Sequence, residues 1–108
     1  MHHKIYPTAR RQLIQIWKYT DRMWGEEQAD KYIHGIYNAI DSLADNPHLW
    51  REVEHKEAKD IYFIRHKHHY VFFRQLASGN IGVISVLHER MDIPGRLKTD
   101  TDALPDTE

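Results

Sequence analysis

The chain has 108 residues, of which 41% are hydrophobic and 29% are charged, and these values are typical of a single globular domain. Because there is no cysteine, a disulfide scaffold, a cysteine nucleophile, a thiolate zinc site and an iron–sulfur cluster are all excluded. No apolar run approaches the length of about 18 residues that a membrane helix needs, and the N-terminus lacks the apolar stretch of a secretory signal, so we expect a cytoplasmic protein that does not bind membranes.

The charge is unevenly distributed around a formal net charge of −1. Residues 99–108 contain four acidic and no basic side chains, which leaves 15 basic against 12 acidic residues in the first 98. This mildly basic body is far from the charge of a dedicated nucleic-acid-binding domain, so we expect no sequence-specific nucleic-acid binding.

The first half of the chain predicts a short strand followed by two helices. The strand lies at residues 3–6, and Thr8 is the predicted N-cap of a helix that runs to about Met23, with apolar residues at steps of three and four, Trp24 among them. Gly25 is a natural helix terminator, and the same spacing then continues to the break before Pro47. A turn at the glycine between them predicts an antiparallel helical hairpin.

The second half of the chain predicts a loop and three strands. Residues 48–59 are polar and without a clear period, which indicates a loop. Three apolar segments rich in β-branched and aromatic residues follow at short intervals, and they predict an antiparallel meander. These segments are residues 61–64, 70–73 and 81–87.

The predicted order is β-α-α-β-β-β, a two-layer α+β domain in which the helical hairpin packs on one face of a small antiparallel sheet. Pro94-Gly95 is expected to end the ordered body. This divides the chain into a domain at residues 1–95 and an acidic, disordered tail at residues 96–108.

Two histidine-containing segments suggest chemistry. In His66-Lys67-His68-His69, two imidazoles could share a strand face and bind a metal, but no carboxylate or cysteine lies at ligand-like spacing, so we favour a polar hairpin turn and expect no metal and no cofactor. His88-Glu89-Arg90 ends the last predicted strand. Its histidine could act as a general acid or base, or the three residues could simply fix the strand end through local polar bonds.

The first predicted helix offers a possible partner surface. Arg11, Lys18 and Arg22 share one face, which is either solvated or a docking surface for an acidic partner. Ile14 lies away from the main apolar stripe. The aromatic and apolar surplus of the chain therefore indicates either a wide core-facing stripe or a partner interface.

Five segments resemble the ParE toxins of the ParE/RelE superfamily, which belong to bacterial type II toxin–antitoxin systems. The resemblance covers about residues 4–93 and implies the same β-α-α-β-β-β fold. The segments are Ile16-Trp17-Lys18-Tyr19-Thr20, Trp24-Gly25-Glu26-Glu27-Gln28-Ala29 with Tyr32-Ile33, Leu43-Ala44-Asp45-Asn46-Pro47, His69-Tyr70-Val71-Phe72-Phe73 and Val86-Leu87-His88-Glu89-Arg90-Met91-Asp92.

The resemblance implies a toxin that is not an enzyme. Such toxins bind DNA gyrase and stabilise its cleaved-DNA state, which arrests growth and underlies plasmid stabilisation. The residues that we assign to target binding are His88, Arg90 and Asp92.

The resemblance also implies a ParD-like antitoxin and a hetero-oligomeric toxin–antitoxin complex. The antitoxin is expected to lay a segment that orders on binding over the flank of the helical hairpin and part of the sheet. The residues that we assign to this contact are Ile14, Lys18 and Tyr37.

Two alternatives remain open at this point. ParE-like sequences often carry arginine where this chain has Tyr62 and Ser85. One alternative is an inactive module that only binds an antitoxin. The other is a RelE-like ribonuclease that cuts mRNA on the ribosome, for which the candidate catalytic residues are His88, Arg90, Arg65 and Arg74.

Overall fold

A computed structural model of the protein describes residues 3–54 and 60–104. They form helices packed on one mixed β-sheet, and none of the helices in these two ranges is long and apolar enough to cross a membrane. The elements are β1 (His3–Ile5), α1 (Pro7–Trp24), α2 (Glu26–Asp41), two 3₁₀ turns (Leu43–Asp45 and Pro47–Leu49), β2 (Arg51–Glu52), β3 (Tyr62–His66), β4 (His69–Gln75), β5 (Ile81–His88) and α3 (Ile93–Asp102).

The sheet has the strand order β1-β5-β4-β3-β2. Strands β3, β4 and β5 form the predicted antiparallel meander, and the α+β class is confirmed. The whole sheet is mixed, because β1 pairs in parallel with β5, with His3 opposite Ile81 and Ile5 opposite Val83. An irregularity in the β4–β5 ladder falls between Phe72 and Phe73.

Several element boundaries differ from the sequence prediction. The second helix was expected to continue to the break before Pro47, but α2 ends at Asp41 and a 3₁₀ turn at Leu43–Asp45 follows. Helix α1 begins at Pro7, and its N-cap is Tyr6 and not Thr8, which lies inside the first turn. Proline is favoured at this position because its nitrogen carries no hydrogen that would need an acceptor. The predicted loop at residues 48–59 contains the end of a 3₁₀ turn and strand β2. Residues 55–59 of that loop lie outside the described residues.

The expectation of a disordered tail is wrong for residues 96–102, which lie in helix α3. Pro94 stands in the first turn of this helix, and the Asp92 side chain caps it by accepting a hydrogen bond from the Gly95 nitrogen at 3.5 Å. The proline and glycine that were expected to stop the ordered body therefore begin a helix. Residues 105–108 of the predicted tail lie outside the described residues.

The sheet separates two hydrophobic clusters. The larger one lies under the helical hairpin, with Leu13, Ile36 and Phe73 among its buried members. The smaller one includes Leu87 of β5 and Leu97 of α3. Helix α3 thus buries apolar surface of its own and is part of the folded body.

Gly35 lets helix α2 approach the sheet closely at His66. A Cβ atom on Gly35 would lie 2.8 Å from the His66 Nε2 atom and 2.9 Å from its Cε1 atom. The His66 ring also makes an edge contact with Tyr32, with 5.7 Å between the ring centroids. The His66 imidazole therefore occupies the space that a side chain at residue 35 would need.

We expect Gly35→Ala to destabilise the protein by about 1 kcal/mol, because the overpacking outweighs the better helix propensity of alanine. In a His66→Ala background the clash is gone, and the same substitution should instead stabilise by about 0.5–1 kcal/mol. Thermal or urea unfolding of the four proteins measures the coupling. Equal effects of the substitution in both backgrounds would contradict this packing.

Candidate functional site

A groove of about 980 Å³ lies between the helical hairpin, the turn between β3 and β4, and the segment that joins β5 to α3. None of the described residues that line it is acidic. The lining includes the cationic side chains Lys67, Arg90 and Arg96, together with three histidines. An anionic partner is therefore the one that this groove favours.

Aromatic and sulfur-containing side chains form much of the groove surface. Trp24 is 73% exposed, Tyr19 is 56% exposed and Met91 is 45% exposed, and all three line the groove. Arg22 extends the surface, because its guanidinium lies 5.9 Å from the centroid of the Tyr19 ring. Large exposed side chains of this kind are typical of a surface that another protein covers.

The sequence pattern placed Trp24 on the buried stripe of the first helix, and the structure corrects this. Ala9 and Leu13 of that stripe are buried and Ile16 packs against the core, but Trp24 is the last residue of α1 and lies largely in solvent. The helical period assigns a residue to a face. It cannot tell that the helix extends past the core that this face covers.

Histidines gather at the end of the groove formed by β4 and β5. The Tyr32 hydroxyl and the His69 Nδ1 atom are 2.6 Å apart. The His88 ring lies 5.0 Å from the His69 ring and 6.2 Å from the His68 ring, measured between centroids. In the described ranges, no group of three or more histidine, aspartate or glutamate side chains has the arrangement needed to hold a metal ion.

The environment keeps the inner histidines neutral. Burial, reinforced by the neighbouring histidines, lowers the pKa of His69 to about 4. Burial and the charge of Lys67 lower the pKa of His66. A neutral His69 with its proton on Nε2 accepts the hydrogen bond of the Tyr32 hydroxyl, whose own pKa burial raises.

Glu89 ties the end of β5 to the turn between β3 and β4. Its carboxylate accepts hydrogen bonds from Arg65 at 2.5 Å and from His68 at 2.7 Å, and its backbone nitrogen donates to the His68 carbonyl at 2.8 Å. The hydrogen bond from His68 and the charge of Arg65 lower the pKa of this carboxyl. The sequence left two interpretations of His88-Glu89-Arg90, an acid–base site and a strand end fixed by polar bonds. The hydrogen bonds of Glu89 match the second.

The four candidate ribonuclease residues are not brought together. Arg74 donates a hydrogen bond to the Tyr6 hydroxyl at 2.9 Å, and it lies five residues along β4 from His69, the partner of His88, which is about 17 Å at the usual rise of a strand. Arg65 is engaged by Glu89. Only His88 and Arg90 line the groove.

The residues assigned to partner binding fall in separate places. Ile14 and Lys18 lie one turn apart on the exposed face of α1, with Ile14 51% exposed. Tyr37 is half-buried and packs against the larger core cluster. Asp92, assigned to the target surface, caps α3 with its side chain, whereas Arg90 is exposed and its backbone nitrogen donates to the His88 Nδ1 atom at 3.1 Å.

The two positions at which ParE-like sequences often carry arginine lie inside this fold. Tyr62 packs against the rings of Trp50 and Phe73, at centroid distances of 5.4 and 6.1 Å. Ser85 is fully buried, and its hydroxyl donates to the Asp100 carboxylate at 2.6 Å. Both side chains serve the interior, so the cationic surface of the groove comes from other residues.

Comparison with known proteins gives concordant results in sequence and in structure. The family model described as "ParE toxin of type II toxin-antitoxin system, parDE" matches residues 4–93. A Mycobacterium tuberculosis protein named Toxin ParE1 is 36% identical over 92 residues, which cover 84% of this chain and 92% of that protein. An Escherichia coli protein named Toxin ParE is 34% identical over 93 residues, which cover 82% of this chain and 85% of the relative.

The fold is shared with a solved structure described as "Chromosomal ParDE TA system from P. aeruginosa". The match has a TM-score of 0.69 and 18% sequence identity, and it covers 82% of this chain and 95% of the other. At this identity the likeness concerns the fold alone.

The histidine cluster predicts that the fold loses stability in mild acid. Because the folded-state pKa of His69 is about 4, against an ordinary value of 6.5, the unfolded chain binds more protons between these two values, and stability is lost as the pH falls through this window. Since the ring is only partly buried, we expect a loss of about 1–2 kcal/mol between pH 7 and pH 4.5, to which His66 adds in the same direction.

Chemical denaturation at several pH values measures this effect. His69→Gln removes the titrating group and keeps an acceptor for the Tyr32 hydroxyl, so its stability should depend less on pH in this window. His34→Gln, at an exposed position of α2, is the matched control and should behave as the wild type does. The same pH dependence in His69→Gln as in the wild type would assign the acid sensitivity to other groups.

Proposed function

The chain belongs to the ParE toxin family of type II toxin–antitoxin systems, and we propose that it arrests growth by binding DNA gyrase until a ParD-like antitoxin neutralises it. The observation that supports the proposal most directly is the groove, which combines exposed aromatic side chains with cations and whose described lining contains no acid. Such a surface is suited to binding a protein.

We propose that the toxin acts without catalysis. The ribonuclease alternative assigns the base and the phosphate-binding cations to His88, Arg90, Arg65 and Arg74, which would have to meet at one phosphate. Of the candidate residues, Arg74 is held at Tyr6 and Arg65 is held by Glu89, so neither accompanies His88 into the groove. A gyrase inhibitor acts in the cytoplasm, the compartment that the sequence predicts.

The antitoxin-binding surface that we propose runs from the exposed face of α1 into the groove. Ile14 and Lys18 provide an apolar and a cationic contact on the helix, and Tyr37 contributes its exposed part, while Tyr19 and Trp24 of the hairpin line the groove itself. A segment seated there would also cover His88 and Arg90, the residues that we assign to the target. Neutralisation would then be competition for one surface, and no active site has to be blocked.

Purified toxin tests the target. We expect it to inhibit supercoiling by DNA gyrase and to accumulate cleaved DNA, and we expect cells that express it alone to form filaments and induce the DNA-damage response. Arg90→Ala should weaken gyrase inhibition about tenfold, in the range of a charge-assisted contact, while His88→Ala should have a modest effect because no proton is transferred.

The control experiment is a translation reaction in which cleavage of ribosome-bound mRNA is followed. Cleavage with gyrase untouched would establish the ribonuclease alternative. A loss of toxicity in His88→Ala, with melting temperature and antitoxin binding preserved, would point in the same direction, because a proton-transfer residue contributes about 10²–10⁴ in rate.

Charge reversal at Lys18 tests the antitoxin surface. An acidic antitoxin is steered by cations on the toxin, so Lys18→Glu should lower the association rate constant several-fold at low salt and weaken its salt dependence. Arg51→Glu, on the short edge strand β2, makes the same change of charge away from the groove and should associate like the wild type. Equal association rates for both variants would remove Lys18 from the interface.

A further inference from the structure

Helix α3 begins where the match to the family ends. The family model covers residues 4–93, and α3 spans Ile93–Asp102. The helix is nevertheless docked firmly, because Leu97 is only 4% exposed and Ile93 and Leu104 pack against the smaller core cluster. All but the first residue of α3 therefore lies beyond the segment that the family model matches.

A buried carboxylate fixes the position of this helix. Asp100 is 7% exposed, and its Oδ2 atom accepts hydrogen bonds from the Gln12 amide at 2.9 Å and from the Ser85 hydroxyl at 2.6 Å. The three side chains belong to α3, α1 and β5. Because an unpaired buried carboxylate is costly, the helix is stable only where both donors meet it.

Gln12 connects this cluster to the backbone of the sheet. Its side-chain oxygen accepts a hydrogen bond from the Val86 nitrogen at 2.7 Å and lies 3.3 Å from the Ser85 hydroxyl oxygen, whose single proton is donated to Asp100. Val86 also lines the groove, as does Gln12 itself. The cluster that holds α3 is thus adjacent to the groove surface.

The α3 side contributes three residues to the groove: Arg90 and Met91 from the connecting segment, and Arg96 from the helix. The hairpin contributes Tyr19 and Trp24 to the same groove. Within residues 3–54 and 60–104, the Arg96 side chain is exposed and has no acidic partner.

We propose that α3 is a second wall of the antitoxin-binding groove that determines which antitoxin is accepted, with Arg96 pairing with a carboxylate of the bound segment and Asp100 acting as the residue that positions the helix. The inference rests on the proposed function, since it concerns the same partner. The occupant is an acidic segment of the antitoxin, because the groove offers cations and aromatic rings and no described lining residue that would repel an anion.

The first test measures binding of this chain to a ParD-like antitoxin. Arg96→Glu should weaken the affinity about tenfold at low salt, and the loss should shrink as the salt concentration rises. Arg51→Glu carries the same charge change on β2 and should bind as the wild type does. Both variants should keep the melting temperature of the wild type, because both side chains are exposed.

The second test asks whether Asp100 acts through Arg96. In an Asp100→Ala background the helix loses its anchor, so Arg96→Glu should change the affinity less than about twofold. Asp100→Asn keeps an oxygen that can accept from Ser85 and should restore most of the effect of Arg96→Glu. A purely structural role of Asp100 would lower the melting temperature and leave the effect of Arg96→Glu unchanged.

If Asp100→Ala does not fold, as judged by circular dichroism, Ser85→Ala takes its place in the same cycle. It removes one of the two donors to the carboxylate and leaves the Gln12 amide in place. The expected result is a partial loss of the Arg96 effect, and a full effect in this background would overturn the positioning role.

The outcomes separate the inference from the proposed function. If the wild type does not bind the antitoxin, the proposed function fails. If the wild type binds tightly and Arg96→Glu matches Arg51→Glu, the proposed function stands and α3 has no part in partner selection. A lower affinity in Arg96→Glu that is insensitive to salt would also overturn the inference, because the predicted contact is an ion pair.

Discussion

The structure depends on how the fold satisfies the backbone hydrogen-bonding groups of strand β5 beyond the point where its parallel neighbour β1 ends. Strand β1 pairs only from His3 to Ile5, and the Tyr6 nitrogen then donates to the Val83 carbonyl at 3.0 Å. Beyond that point β5 continues to His88 with residues 81–87 all buried, so its backbone groups need partners other than β1. The Gln12 amide of α1 supplies one of them at Val86. The polar side chain of Gln12, on the buried face of α1, thus allows a helix to cover β5 where β1 no longer pairs with it.

This solution explains why the groove lies where it does. Helix α1 contacts β5 through Gln12 at Val86, and α3 contacts β5 through Asp100 at Ser85. The last residues of the strand lie beyond these two contacts, and the groove is located there. His88, Arg90 and Met91 line this groove because the chain turns there from the strand into α3. At the neighbouring corner, Glu89 holds the turn between β3 and β4 through Arg65 and His68. The groove is therefore bounded by segments that hydrogen bonds hold in place.

The parts of the fold that depend on periodicity could be predicted from the sequence. The prediction failed at Pro94-Gly95, because this pair occurs both after the end of a folded domain and in the first turn of a helix. The helical hairpin and the meander follow from steps of three and four and from apolar segments between turns, and both are confirmed. Pro94-Gly95 is equally consistent with the end of an ordered body and with the first turn of a helix. Asp92, an N-cap residue just before the proline, was the signal that could have decided between them. The family was also recognisable from its motifs, because these combine residues from several elements at fixed distances.

The site was less predictable than the fold, since side chains far apart in sequence meet only through the strand register. Nothing local in the sequence indicates that Arg74 pairs with Tyr6, or that Trp24 extends past the core.

The role of Ser85 also depends on a contact with a residue distant in sequence, and this contact bears on the groove. ParE-like sequences often carry arginine at this position, and a serine there could indicate a lost function. In the structure Ser85 donates to Asp100 and helps to anchor α3, whose Arg96 lines the groove. A cation is thus present in the groove although the strand position that often provides one is neutral. A comparison of single positions would miss this, because Arg96 lies beyond residues 4–93, which the family model matches.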